Sequence, residues 1–374
     1  MKLKLQWMPE SIERGTDKLV GARLIQLTSA ASITHNIYCE ERYTSADGSR
    51  IAMLRSPGGC PPEELWVCDL RTRELACVDT TILGYPSSNL YQDALYYIRA
   101  GRESGRMLAR LDMKTLELDD VCDMSGCPQT RWPVASISPD ERYFVSNLRV
   151  STNVWGFYRV DIKRGAWEVF HEHKDICNPH PQFEPSEGRD ILVQLNRGCV
   201  LDEEENIIHL VGEEGATLYV IDRDGKNERP LPVGKPHTSD VTGHECWVGR
   251  TGKVILTTGP WPHDEIHLVA PGDKRSRLVW KGLGFSHISA TSDGRHFVVD
   301  DVRSGLVYVG NIENGRMLPL CDTRATCAAP QYTHPHPYMT PDNRCVIFNS
   351  DHSGLGQVWA AEVPAGFFEA LDLP

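Results

Sequence analysis

Short runs of alternating apolar and polar residues recur along this chain, each bounded by a turn rich in Gly, Pro, Asp or Asn. Alternation with a period of two places successive side chains on opposite faces of an extended strand. One class of turn reads Ser45-Ala46-Asp47-Gly48, Ser138-Pro139-Asp140-Glu141, Glu184-Pro185-Ser186-Glu187, Ser292-Asp293-Gly294 and Thr340-Pro341-Asp342-Asn343. A strand follows it. A second strand then ends near Asp or Asn, as in Leu65-Trp66-Val67-Cys68-Asp69, Phe157-Tyr158-Arg159-Val160-Asp161, Leu218-Tyr219-Val220-Ile221-Asp222 and Val307-Tyr308-Val309-Gly310-Asn311. Pro-Asp and Asp-Gly sequences accept the tight dihedrals of hairpin turns. The unit recurs every forty to fifty residues or so, roughly the length of a four-stranded propeller blade. About seven units fit, over 31–80, 81–122, 128–171, 174–231, 237–279, 283–320 and 327–364, within the usual range for propellers. The expectation is an all-β chain whose residues 1–374 form a single seven-bladed β-propeller domain. A sandwich would not need this repeat. Residues 8–18 and 365–371 are the best helical candidates, and 199–216 reads as an acidic insertion in the fourth unit, a loop or a short additional hairpin.

Composition narrows the function classes. The 374 residues are 40% hydrophobic and 24% charged, as in soluble globular proteins. No apolar run approaches a bilayer span, and the start, Met1-Lys2-Leu3-Lys4-Leu5, has no apolar stretch behind its basic residues, unlike a secretory signal. A net charge of −12 argues against a nucleic-acid partner and against long polyanions drawn in by the global field. A short acidic ligand remains compatible if the pocket is locally positive, and a metal ion can supply that charge. The twelve cysteines do not pair at zinc-ribbon spacing. Cys122 and Cys127 come closest and have no matching second pair. They read as reduced thiols, buried or in turns, of a cytoplasmic protein.

Several of the 14 histidines occupy equivalent places in the repeat. His35, His180, His244, His287 and the pair His334/His336 each stand at the start of a unit, ahead of its turn. Equivalent positions of successive blades ring one channel, so these side chains should converge. In an extended strand, residues i and i+2 point the same way. Thr333-His334-Pro335-His336-Pro337 should therefore aim two imidazoles at one point, with Gln331 just before them and His287 arriving from the preceding blade. Three neutral imidazoles and an amide oxygen suit a first-row divalent ion with positions open for a carboxylate. A lone histidine is ordinarily structural, and His35 or His267 alone carries no more than that. Two imidazoles on one strand face are harder to bury without a partner.

These residues resemble the oligogalacturonate lyase family. Thr333-His334-Pro335-His336-Pro337-Tyr338-Met339-Thr340-Pro341-Asp342, followed by Phe348-Asn349-Ser350-Asp351, is similar to that family's last blade. Ser286-His287, His244-Glu245-Cys246-Trp247 and His180-Pro181-Gln182-Phe183-Glu184-Pro185 fit earlier blades, and the resemblance runs from about residue 30 to 364. It implies a seven-bladed propeller of TolB-like repeats that acts in cytoplasmic pectin catabolism with manganese in its pocket. Residue by residue, it implies metal ligands at His287, Gln331, His334 and His336 and a catalytic base at His244. The implied reaction is β-elimination on an acidic oligosaccharide: the metal on the C6 carboxylate, His244 removing the C5 proton. Two family arginines are missing. Asn36 follows His35 where the family has one, and Gly215-Ala216-Thr217-Leu218 lacks the other. Arg197 and Arg131 are the nearest replacements, and His180, Arg197 and His35 are the candidate substrate-binding residues. Three other readings compete: a non-catalytic propeller scaffold, which needs no histidine cluster; the propeller of a serine peptidase, which needs a Gly-x-Ser-x-Gly elbow absent here; and a different metal-dependent sugar enzyme.

Overall fold

A computed structural model describes residues 3–57, 63–101, 105–129, 134–151, 154–204 and 206–373, apart from the side chains of 242 and 243. Antiparallel strands form seven blades around a central channel. The first blade contains Ile33–His35, Arg50–Ser56, Glu63–Asp69 and Glu74–Ile82. The second contains Ser87–Asn89, Ala94–Ala100, Arg106–Asp112 and Leu118–Asp123, and the third Ala135–Ile137, Tyr143–Ser151, Val154–Asp161 and Ala166–His173. Gln182–Phe183, Asp190–Asn196, Ala216–Asp222 and Arg229–Pro230 make the fourth. The long strand Arg277–Ala290 is shared. Its first part closes the fifth blade behind Val241–Trp247, Val254–Thr258 and His263–Val269, and its last part opens the sixth, with His296–Asp301, Leu306–Asn311 and Met317–Asp322.

The recurring turn has a common cause. In four blades a hydroxyl donates to the Asp two residues on: Ser45 to Asp47 at 2.7 Å, Ser138 to Asp140 at 2.6 Å, Thr291 to Asp293 at 2.6 Å and Thr340 to Asp342 at 2.7 Å. The side chains thereby stand in for main-chain partners in the hairpin. Between blades the strand faces pack apolar side chains. Leu192, Leu218 and Val220 meet Trp247 and Leu256 across the fourth and fifth blades, all within one buried cluster.

The seventh blade joins the two ends of the chain. Tyr338–Met339, Cys345–Ser350 and Gln357–Glu362 come from the C-terminal side, Arg23–Gln26 pairs with the last of them, and Ile12–Thr16 lies outside that. The helix expected over 8–18 is therefore corrected to strand. Met8–Pro9 pairs with the outer strand of the first blade, Met8 opposite Leu75. Two blade edges offer unpaired main-chain groups to this segment, and Pro9 and Gly15 disfavour helix. The C-terminal expectation holds, with a helix at Phe367–Leu371. The insertion carries a small hairpin, Val200–Leu201 with Ile207–His209. Among the described residues no helix is long and apolar enough to cross a membrane.

Candidate metal centre and active site

His244 and His287 lie on the innermost strands of their blades, each at a break in the ladder. The pairing register shifts between Val241 and Glu245 and again between Phe285 and Ile288. Such bulges re-aim a side chain out of the regular alternation, here toward the channel. His334 and His336 reach the same place differently from the extended strand expected. Gln331–Thr333 is a turn of 3-10 helix, and the ladder starts only at Tyr338–Met339. Pro335 and Pro337 have no N–H to give a neighbouring strand. His336 adopts a left-handed φ of 42°, and His180, which also precedes a proline, has the same value in the fourth blade. Non-glycine residues held in this region cost energy and cluster at functional sites.

Asn36 and Asn349 hold the His-Pro-His segment. Asn36 Nδ2 donates to the His336 carbonyl at 2.7 Å, Asn349 Nδ2 to that of His334 at 3.2 Å, and the Asn36 main-chain N–H to Asn349 Oδ1 at 2.8 Å. Asn36 is fully buried. Where the family resemblance expects an arginine, this chain has a clamp for the neighbouring backbone.

Ligand atoms of His287, His334 and His336 lie within 4.8 Å of one another. Gln331 Oε1 is 3.0 Å from His336 Nε2, about the separation of two atoms that each sit roughly 2 Å from one ion. His287 Nδ1 donates to Asp300 Oδ2 at 3.0 Å, and its main-chain N–H to Asp300 Oδ1 at 2.6 Å. A carboxylate behind an imidazole fixes its tautomer and strengthens it as a ligand. His334 Nε2 donates to the Ala328 carbonyl at 2.7 Å. The Nδ1 atom of His334 is buried without a partner, a costly state. A divalent cation among these groups would satisfy it, and the donor set of three imidazoles and one amide oxygen fits such an ion.

His244 packs beside this group, its ring centroid 4.5 Å from that of His287 and 5.7 Å from that of His263. Burial, followed by repulsion from His287 and His263, holds its pKa well below the ordinary 6.5. It is therefore a neutral imidazole, able to accept a proton. Tyr38 lines the other side, 4.6 Å from the His336 ring and 6.0 Å from that of His180. Burial alone would lower the His180 pKa, but the carboxylate of Glu40, in contact with Nδ1, outweighs it and pushes the value up to about 9. Glu245, adjacent to His244, is fully buried with both carboxylate oxygens unpartnered, and burial shifts it toward the neutral acid.

The ring of histidines thus converges in part. His244, His287, His334 and His336 share one pocket, with His180 one aromatic ring away. His35 instead faces Glu63, 3.4 Å away, and Tyr85. Arg197 commits its guanidinium to main-chain carbonyls of Gly215 at 2.8 Å, Glu214 at 2.5 Å and Lys235 at 3.0 Å, and so pins the base of the insertion. Neither presents the free substrate-binding group expected of it. Arg131 lies outside the described residues. Asp300 was not singled out from the sequence, although a carboxylate in the otherwise apolar run Phe297-Val298-Val299 is a signal for a buried polar role.

The curated oligogalacturonate lyase of Dickeya dadantii is 23% identical, over 93% of this chain and 95% of its own. The oligogalacturonide lyase of Pectobacterium atrosepticum is 24% identical, over 96% and 97%. The chain is similar to the oligogalacturonate lyases over nearly its whole length. An oligogalacturonate lyase solved in complex with manganese superimposes with a TM-score of 0.73 over 98% of both chains, at 21% identity. The fold is thus that of an oligogalacturonate lyase propeller, and the resemblance read from the last blade extends to nearly the whole length. No family model matches the chain.

Proposed function

We propose that this protein is a metal-dependent lyase that cleaves short uronide oligosaccharides by β-elimination, with oligogalacturonate or a closely related uronide as substrate. One observation carries the reading: a three-histidine group fit for a divalent ion adjoins a fourth, neutral histidine. The named activity of the relatives supports it. In this reading residues 1–374 act as one propeller domain in the cytoplasm, and the ligands are His287, Gln331, His334 and His336. A bound divalent ion, manganese in the proposal, would supply positive charge to the C6 carboxylate and to the enolate-like charge that develops beside it. His244 takes the C5 proton, and its low pKa keeps it in the accepting form through the neutral range. The bond between C4 and the leaving oxygen then breaks, that oxygen takes up a proton in exchange for the one lost from C5, and a 4,5-unsaturated sugar forms with no net water consumed. Asp300 orients His287, and Asn36 and Asn349 fix the main chain of His334 and His336. His180, kept protonated by Glu40, is a donor at the pocket wall for a sugar hydroxyl or carboxylate.

The test is a panel of short uronides incubated with manganese-loaded protein, followed by ultraviolet absorbance of the unsaturated uronate. Wild type should generate the band with at least one member, and His244→Ala should lose it by a hundredfold or more, on the order expected for a general base. Silence across the panel with metal bound would refute the lyase reading.

A further inference from the structure

Trp261 is a large apolar side chain left 58% exposed beside the proposed base. Its ring centroid lies 6.4 Å from that of His244 and 5.5 Å from that of His263, edge-on at 82° to the latter. It sits on the loop between Val254–Thr258 and His263–Val269, flanked by Pro260 and Pro262, whose rings restrict the backbone. The loop is closed by His263 Nδ1 donating to the Gly259 carbonyl at 2.8 Å and by the Gly259 N–H donating to that of Asp240 at 3.1 Å. The indole is therefore presented on a constrained support. More than half exposed and held beside the proposed base, the indole is open to a ligand there.

The ring contacts also give an order along the pocket. Among the described residues, Trp261 meets His244 and His263 but makes no ring contact with His287, His334 or His336. Metal ligands, base and indole thus follow one another. A sugar whose carboxylate is at the metal group and whose C5 faces His244 leaves the adjoining sugar nearest Trp261. A pyranose presents a face of C–H groups that an aromatic ring covers well, and the indole N–H adds a donor at its edge.

We propose that Trp261 is the stacking platform for the pyranose ring next to the one that loses its proton, and so sets how tightly that neighbouring sugar is held. The inference rests on the lyase reading and deepens it. Trp261→Ala and Trp261→Phe, both manganese-loaded, would be compared with wild type on a di-uronide and a tri-uronide, reading kcat and KM separately together with Tm and bound manganese. The expected result for Trp261→Ala is a KM raised about tenfold, the scale of one aromatic contact, with kcat changed less than threefold, metal retained, and Phe restoring most of the loss. An unchanged KM in Trp261→Ala, or a KM change that follows a fall in Tm or in bound metal, overturns the proposal while leaving the lyase reading intact. Inactive wild type would overturn the lyase reading first, and this proposal with it.

Discussion

At the scale of single residues, the pocket is held by partners that do not themselves face a ligand. Asp300 accepts from both the ring and the main chain of His287. Asp300→Asn keeps the volume but removes the charge, so manganese affinity should fall about ten- to a hundredfold with the fold retained, as read by metal titration and circular dichroism. The His180–Glu40 pair has a definite pH signature. Its folded pKa is raised above the unfolded value near 6.5, to about 9. Its stabilising contribution is therefore full below pH 6.5 and is lost as pH rises through about 9. The Tm difference between wild type and Glu40→Gln should be largest at pH 6 and shrink toward pH 10. A difference that grows across that range would contradict this assignment. The clustered histidines were legible because His-x-His and a repeated position need no knowledge of neighbours. Asn36 and Glu40 were not, since they act on His336 and His180, 300 and 140 residues away, and Asp300 was not because its role appears only when the neighbouring strand pairs with that of His287.

At the scale of elements, the turns were the legible part. A hydroxyl donating to an Asp two residues later is a local arrangement, so the motif is visible wherever it recurs. The N-terminal strands were not. Arg23–Gln26 and Ile12–Thr16 owe their strand form to the unpaired edge of Gln357–Glu362, more than 300 residues away, and a single-chain pattern contains no trace of that edge. The same logic explains His336: its left-handed φ is set by Asn36 and Gln331, where the pattern alone predicted extended backbone. Deleting residues 1–30 should remove the burial of Ile25 and Leu27 and expose the blade edge. At about 1.5–3 kcal/mol for each side chain, plus the lost ladder, the cost is on the order of 5 kcal/mol, comparable with a whole domain's margin. Chemical denaturation should show a truncated chain with a sharply lower midpoint and concentration-dependent aggregation. An unchanged midpoint would mean that ring closure contributes little.

At the scale of the whole molecule, the blades bring residues 244, 287, 334 and 336 together, and the fold matches that of oligogalacturonate lyases along nearly all of the chain. The strongly acidic surface, net −12, makes a local cation all the more necessary for an acidic ligand. Everything proposed for the reaction depends on that cation being held where the histidines meet. The direct measurement is manganese per chain by elemental analysis after dialysis, in wild type, His334→Ala and His244→Ala. One ion per chain is expected in wild type and in His244→Ala, and none in His334→Ala. A full ion retained by His334→Ala, or lost from His244→Ala with the fold intact, would contradict this expectation.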